Sequence, residues 1–258
     1  MSFIDWQNLQ ANSSAYRESF QEKKPFRYLV MDNFLLAEAA EKLLAAYPAP
    51  HQEVWNSTTY IHQKNKLQKS KFEAGSVFQD LFNELNSPQL TDFLTQITGI
   101  SSLLGDAKLF GGGLHQSMHG AFLNVHVDFN RHPETKFYRR LNLLIYLNKD
   151  WKEEYEGAIE FWDMEQKKQL IQVWPIFNRC VVFETNEISF HGHPTPLNTP
   201  PGVTRKSLAV YYYTQDAPSG LDTVPEHNTI FKNTEGVAGR WKTFLSGLKA
   251  FRERIAGS

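Results

Sequence analysis

The sequence predicts a mainly β chain of the α+β class, with a double-stranded β-helix (jelly-roll) core flanked by N-terminal and C-terminal helices. Three observations carry that expectation. From about residue 109 to 214, short β-branched and aromatic runs alternate with turn signals, the pattern of an antiparallel sandwich or barrel. No helical periodicity separates those runs, which argues against strand–helix–strand units and a parallel sheet. The first third reads mainly as helix, with apolar residues recurring at helical spacing. The chain has no fixed-period repeat, low-complexity stretch or composition break. A single domain over residues 1–258 is therefore expected, with a helical part at about 1–104, the β core at about 105–214 and a C-terminal extension at about 215–258.

PFRYLVMDNFL reads as the first strand, and LAEAAEKLLAAY (36–47) as an amphipathic helix that Pro48 stops. Two more amphipathic stretches lie near Ser76 to Leu85 and Gln89 to Ile97. Residues 51–75 are polar, carry Lys64, Lys66, Lys69 and Lys71, and lack periodicity. They read as a long loop of the kind that serves as a lid, with Trp55 and Tyr60 placed to close over a ligand. The strand candidates follow: FLNVHVD, RRLNLLIYL, GAIEFWD, LIQVW, NRCVVFET, SFHGH and RKSLAVYYYT. Gly239 to Ile255 reads again as helix.

Composition narrows the function classes. Apolar residues make up 41 % and aromatics 14 % of 258 residues, enough for a sizeable core and unlike a disordered chain. With 27 basic against 28 acidic side chains, the chain is not a strongly basic nucleic-acid binder, and no nucleic-acid partner is expected. No long uncharged apolar run is present, so no membrane partner is expected either. The start, MSFIDWQNLQ, lacks a basic region followed by an apolar one, and a cytoplasmic location is expected. Cys180 is the only cysteine, which excludes an internal disulfide and a Cys-built zinc site. No pattern specifies an oligomeric state.

Three signals carry chemistry. His126-Val127-Asp128 ends a predicted strand, where residues i and i+2 share a face, so an imidazole and a carboxylate can converge on one metal ion. Alone, that motif is weak evidence. Further on, Ser189-Phe190-His191-Gly192-His193 adds histidine, and two histidines with one carboxylate form the facial triad typical of non-haem Fe(II). His191 and His193 share a face. His191 is preferred as the distal ligand because it directly follows the apolar Ser189-Phe190 strand end, and His193 remains the alternative. The third signal is Arg205, on a strand whose one face also carries Ser207, Ala209 and Tyr211. A guanidinium beside a hydroxyl suits a carboxylate ligand.

In this order these residues resemble the Fe(II)/2-oxoglutarate-dependent dioxygenase superfamily, within its prolyl-hydroxylase-like branch. RRLNLLIYLNKDW (139–151) is similar to the strand and turn after the HxD motif in oxygen-sensing prolyl hydroxylases, and Pro175 to Arg179 followed by VVFET to the strand before their distal histidine. The resemblance covers roughly residues 105–214. It implies that His126, Asp128 and His191 hold the iron and take part in catalysis. It also implies that Arg205 and Tyr146 bind the distal carboxylate of 2-oxoglutarate, with Ser207 a secondary contact and Asn142 lining the same pocket. The implied reaction consumes dioxygen, decarboxylates 2-oxoglutarate to succinate and hydroxylates an aliphatic C–H. Two departures stand out. Glu156-Gly157 occupies a place where the family often has Gly-Gly, and the gap from His191 to Arg205 is longer than in the oxygen sensors.

Substrate contacts are expected from Phe129 and Arg131, which follow Asp128 directly, and from Trp162 and Tyr211. His115 and His119 read as structural or substrate-facing. The expected substrate is a small molecule or peptide, amino-acid-like or prolyl, with a sugar-type metabolite as the alternative. A non-catalytic cupin-like metal or ligand binder, or a zinc hydrolase on the same ligands, are the rival classes.

Overall fold

The computed structural model describes residues 2–52, 54–60, 62–165, 167–218 and 224–232, with the side chains of 58–60 left out. The helix expected over Gly239 to Ile255 lies outside the described residues. Two short helices, α1 (Trp6–Ala11) and α2 (Ser13–Glu22), precede the strand β1 (Tyr28–Asp32) and the helix α3 (Ala37–Ala45). The helices α4 (Val77–Leu85) and α5 (Pro88–Thr98) complete the helical layer. The local signals explain their bounds. Ser76 and Ser87 cap α4 and α5 by accepting from Gln79 and Leu90 backbone N–H groups, Pro88 opens α5, and Gly99 closes it in a left-handed conformation.

Between α3 and α4, the region read as a loop forms a hairpin of β2 (Asn56–Tyr60) and β3 (Gln63–Lys69), a correction to the helical N-terminal part. β3 pairs antiparallel with the long strand β4 (Gly113–Val127). The remaining strands are β5 (Tyr138–Tyr146), β6 (Ile159–Asp163), β7 (Lys168–Val173), β8 (Arg179–Glu184), β9 (Phe190–His193), β10 (Arg205–Thr214) and β11 (Ile230–Phe231). Every pairing is antiparallel, in the order β1-β8-β5-β10-β4-β9-β6-β7. The first half of β4 pairs with β10 and its second half with β9, so this one strand passes from one half of the jelly roll to the other.

Period-two alternation decides which side chains reach the interior. Leu141, Leu143 and Ile145 of β5, with Cys180 and Val182 of β8 and Leu208, Val210 and Tyr212 of β10, pack in the helix-side core with Leu81, Phe82, Phe93 and Ile97. Each fully buried Leu or Phe there contributes roughly 1.5–3 kcal/mol relative to exposure. The residues in between, Asn142, Leu144, Ser207 and Phe183, turn to the interior of the barrel. Burial on both faces is why β5 reads as a near-continuous apolar run. Trp55 stacks on Tyr47 at 6.1 Å and donates to the Ala49 carbonyl; it packs on the core instead of closing over a ligand.

Candidate active site

The barrel encloses a cavity of about 100 Å³ lined by residues of β3, β4, β5, β6, β8, β9 and β10. His126 and Asp128 reach it from the end of β4, and His191 from β9, whose register sets His191 directly opposite His126. One ligand atom from each of the three lies within 4.8 Å of the others. Gly192 makes that pairing possible: a Cβ there would stand 2.7 Å from the Leu123 carbonyl oxygen and 2.9 Å from that of Asn124. β9 can approach β4 closely only without a side chain at this position.

The triad is held in a ligand-ready state. Nδ1 of His126 donates to the Asn124 carbonyl at 2.8 Å, and Nδ1 of His191 to the Ser189 carbonyl at 2.9 Å. A carbonyl only accepts, so Nδ1 carries the proton and Nε2 presents a lone pair. His126 Nε2 lies 3.5 Å from Asp128 Oδ1, and His191 Nε2 lies 3.4 Å from Oδ2. Burial, then the neighbouring His126, push the His191 imidazole down to about 4. Burial would raise the Asp128 carboxyl, but the Arg139 guanidinium holds it well below the ordinary carboxylate range. Lone pairs on two nitrogens and a carboxylate oxygen, aimed at one point without a proton between them, repel one another. A divalent cation converts that repulsion into coordination, so the donor set fits a metal such as Fe(II).

Two residues support Asp128 in a role the sequence did not indicate. Arg139 is only 1 % exposed; its Nη2 lies 3.1 Å from Asp128 Oδ2, and its Nε donates to Asn142 Oδ1 at 2.9 Å. Asn142, expected beside 2-oxoglutarate, does line the cavity, yet its Nδ2 donates to Asp128 Oδ2 at 2.7 Å. The Arg139 guanidinium also lies 3.5 Å from the Tyr211 ring centroid and 4.3 Å from that of Phe129.

At the other end, Arg205 Nε donates to the Gly157 carbonyl at 2.7 Å and Nη2 to the Tyr146 hydroxyl at 3.3 Å. A guanidinium has five N–H donors, so several remain to face an anion. Arg205 is paired across the strands with Ser117, and Ser207 with both His115 and Tyr146. Arg205, Ser207, Ser117 and His115 all line the cavity. His193 lines it as well, its buried Nδ1 without a hydrogen-bond partner among the described residues, and it stands apart from the three-residue cluster. With unspent guanidinium donors at one end and a metal-binding donor set at the other, the cavity fits a metal-bound keto-diacid. Its volume admits on the order of eight water-sized groups.

Three of the four expected substrate contacts do not line this cavity. Trp162 packs with Val125, Val127 and Phe190 and donates to Glu160 at 2.8 Å, because it shares with Glu160 the face of β6 opposite the cavity-lining Ile159. Arg131 lies over the Tyr138 ring at 4.3 Å, and Phe129 is taken up by Arg139 and the edge of Phe110. Tyr211 does line it. His119 is structural, bonded through Nδ1 to the Thr199 carbonyl. Lys66, from the unforeseen hairpin, is a lining residue for which an Asn65-Lys66-Leu67 tripeptide carries no sequence signal.

Among the described residues no helix is long and apolar enough to cross a membrane. Residues 112–213 match the family model of the 2OG-Fe(II) oxygenase superfamily. No curated protein matches the chain. Among solved structures, a Pseudomonas putida prolyl-4-hydroxylase is similar with a TM-score of 0.55 and 16 % identity, over 77 % of this chain and 98 % of the other. A Trichoplax adhaerens prolyl hydroxylase, solved with a hypoxia inducible factor peptide fragment, gives 0.57 and 15 %, over 81 % and 93 %. HygX from Streptomyces hygroscopicus, solved with nickel, 2-oxoglutarate and hygromycin B, gives 0.53 and 12 %, over 83 % and 97 %. Over residues 112–213 the chain thus resembles the 2OG-Fe(II) oxygenase superfamily, a family that uses Fe(II), 2-oxoglutarate and dioxygen, and its fold is shared with prolyl hydroxylases.

Proposed function

We propose that the chain hydroxylates an aliphatic C–H of an amino-acid-like, prolyl or peptide substrate. In this reading His126, Asp128 and His191 hold Fe(II), and Arg205 with the Tyr146 hydroxyl receives the far carboxylate of 2-oxoglutarate. The observation that carries it is one cavity with three metal-type donors within 4.8 Å at one end and a half-spent guanidinium at the other. Bound there, iron and the keto acid supply the oxidising power: dioxygen converts 2-oxoglutarate to succinate and carbon dioxide, and one oxygen atom goes to the substrate.

The chain's own residues do the positioning. Asn124 and Ser189 fix both imidazoles through their carbonyls, and Arg139 with Asn142 keeps Asp128 ionised and in place. Ser207 offers a hydroxyl between Arg205 and Tyr146. Leu144, Ile159 and Phe183 wall the cavity with apolar surface that limits water around the reacting groups. The hydroxylation side of the reading is supported by the intact carboxylate at Asp128, and the prolyl side by the fold shared with prolyl hydroxylases.

Succinate formation from 2-oxoglutarate under added Fe(II) tests the reading. His126→Ala, Asp128→Ala and His191→Ala should each lower it by more than the roughly 10–100-fold that losing a partner behind a metal ligand costs. His193→Ala should retain metal binding. No succinate from the unmodified chain with any amino acid, prolyl peptide or sugar conjugate supplied would favour a cupin-like binder, and turnover with zinc in the absence of oxygen would favour a hydrolase.

A further inference from the structure

The hairpin that replaces the expected loop brings a cation to the cavity. Lys66 of β3 pairs with Ser117 of β4, and Ser117 pairs with Arg205 of β10, so the three form one row across adjacent strands. Lys66 thus stands roughly 10 Å from Arg205 along the sheet, two strand spacings away, with Tyr146 beyond Arg205 on the other side. Among the described residues the Lys66 ammonium has no carboxylate within ion-pair distance and no hydrogen-bond acceptor.

The groups facing it are of the wrong charge. Burial, with Arg205 and Arg139, pushes the ammonium down to about 8, and Asp128 alone acts in the other direction. Asp128 is already engaged by Arg139, Asn142 and two imidazoles. His115 and His193, the neighbouring imidazoles on the cavity wall, are held neutral by burial and by these same cations. Around this space one carboxylate therefore meets the three cations Lys66, Arg139 and Arg205. On the reading above, 2-oxoglutarate answers Arg205 with one carboxylate, and its other carboxylate together with Asp128 balances a ferrous ion. Lys66 is left over. A half-buried cation on the wall of a cavity is stabilised by an anion that joins it.

Resting on that reading, we propose that Lys66 is a specificity-determining residue that binds a carboxylate of the substrate, so that the substrate is an organic acid, free or as the carboxylate of a peptide. The salt contact orients the acid across the cavity from Arg205 and places the carbons next to its carboxylate beside the triad. A neutral substrate of the same shape leaves Lys66 unpaired and binds more weakly.

Carbon-13-labelled acetate is a minimal probe. The full chain is loaded with Mn(II), whose paramagnetism relaxes nearby nuclei, and saturated with 2-oxoglutarate under anaerobic conditions; 2-oxoglutarate affinity is measured separately by calorimetry. Acetate relaxation should be enhanced and that of neutral acetamide should not. Lys66→Met should abolish the acetate effect and change 2-oxoglutarate affinity less than about twofold, while Lys66→Arg should keep the effect. Arg205→Met should weaken 2-oxoglutarate at least about tenfold. The acetate–acetamide contrast on the unmodified chain needs no variant to fold. Acetate relaxation that is absent from the unmodified chain, matched by acetamide or retained in Lys66→Met overturns the proposal. So does a loss of 2-oxoglutarate binding in Lys66→Met comparable to that in Arg205→Met, which assigns Lys66 to the co-substrate. If 2-oxoglutarate fails to bind the unmodified chain, the underlying oxygenase reading fails instead, so the two failures are distinguishable. A N-acetylproline and N-acetylprolinamide pair, tested the same way, then separates a peptide-terminal carboxylate from a simple free acid.

Discussion

Asp128 is the residue on which the site balances. A carboxylate this enclosed persists in ionised form only because Arg139 and Asn142, brought to one side by the bulge at Arg140 in β5, both serve its Oδ2, leaving Oδ1 for a metal. Among the described residues Arg139 in turn has no other anion, and it lies against the rings of Tyr211 and Phe129. The pair is thus buried and mutually dependent. Arg139→Met should destabilise the fold by about 3–5 kcal/mol, the usual result of stranding a buried charge. Asn142→Ala, which removes the hydrogen bonds to Asp128 and from Arg139, should cost about 1–3 kcal/mol. Both should weaken Mn(II) binding about 10–100-fold in a calorimetric titration. Unchanged metal affinity in both variants would mean that β5 only packs beside the triad. The HxD motif is visible in the chain, but its support is not: Arg139 sits in a Tyr-Arg-Arg run whose two arginines are indistinguishable until the bulge in the β5–β10 pairing sends Arg139 inward.

At the level of elements, two short segments show where local pattern stops being informative. β2 and β3 carry few apolar side chains, and Leu67 and Gln63 are the buried residues of β3, so no alternation announces a strand. Their extended form comes from pairing with β4, a partner far along the chain, and that non-local pairing is what a window of sequence cannot contain. The second segment is the turn before β6. Glu156 adopts φ 58°, ψ -161°, a region essentially reserved for glycine, at the position where related sequences often have Gly-Gly. Its carbonyl accepts from the Trp151 indole, and Gly157 beside it accepts from Arg205, so the strained conformation is held by both neighbours. Glu156→Gly keeps these backbone acceptors and should raise stability by about 1–3 kcal/mol. Urea unfolding checks this as a higher midpoint at unchanged slope; an unchanged or lower midpoint would show that the Glu156 conformation carries no strain.

Over the whole molecule, the sheet separates two environments: helices pack on its outer face, and the inner faces enclose the polar site. Because the triad spans β4 and β9 and Arg205 enters from β10, a bound metal and keto-diacid tie together strands from both halves of the jelly roll. At 100 times their dissociation constants, each ligand should add about 2.7 kcal/mol to stability. Mn(II) with 2-oxoglutarate should then raise the melting temperature by roughly 10–20 °C, at about 2–4 °C per kcal/mol, and Arg205→Met should lose the 2-oxoglutarate share. Equal shifts in that variant would remove Arg205 from the co-substrate site. Patterns with short range were legible in the chain: the three amphipathic helices, the run of β strands, and the ligand types of HxD, His191 and Arg205. Spacing put His191 and His193 on one face of a strand, with only the apolar Ser189-Phe190 strand end to favour His191. Register decided between them, setting His191 across from His126 and His193 two residues further along β9, toward Lys66 and Arg205. Likewise Arg139, Asn142 and Lys66 acquired their places only when β5 and β3 took their neighbours. Side-chain chemistry is written locally, whereas the distances between side chains are set by strand pairing across the fold, and only the folded chain has those.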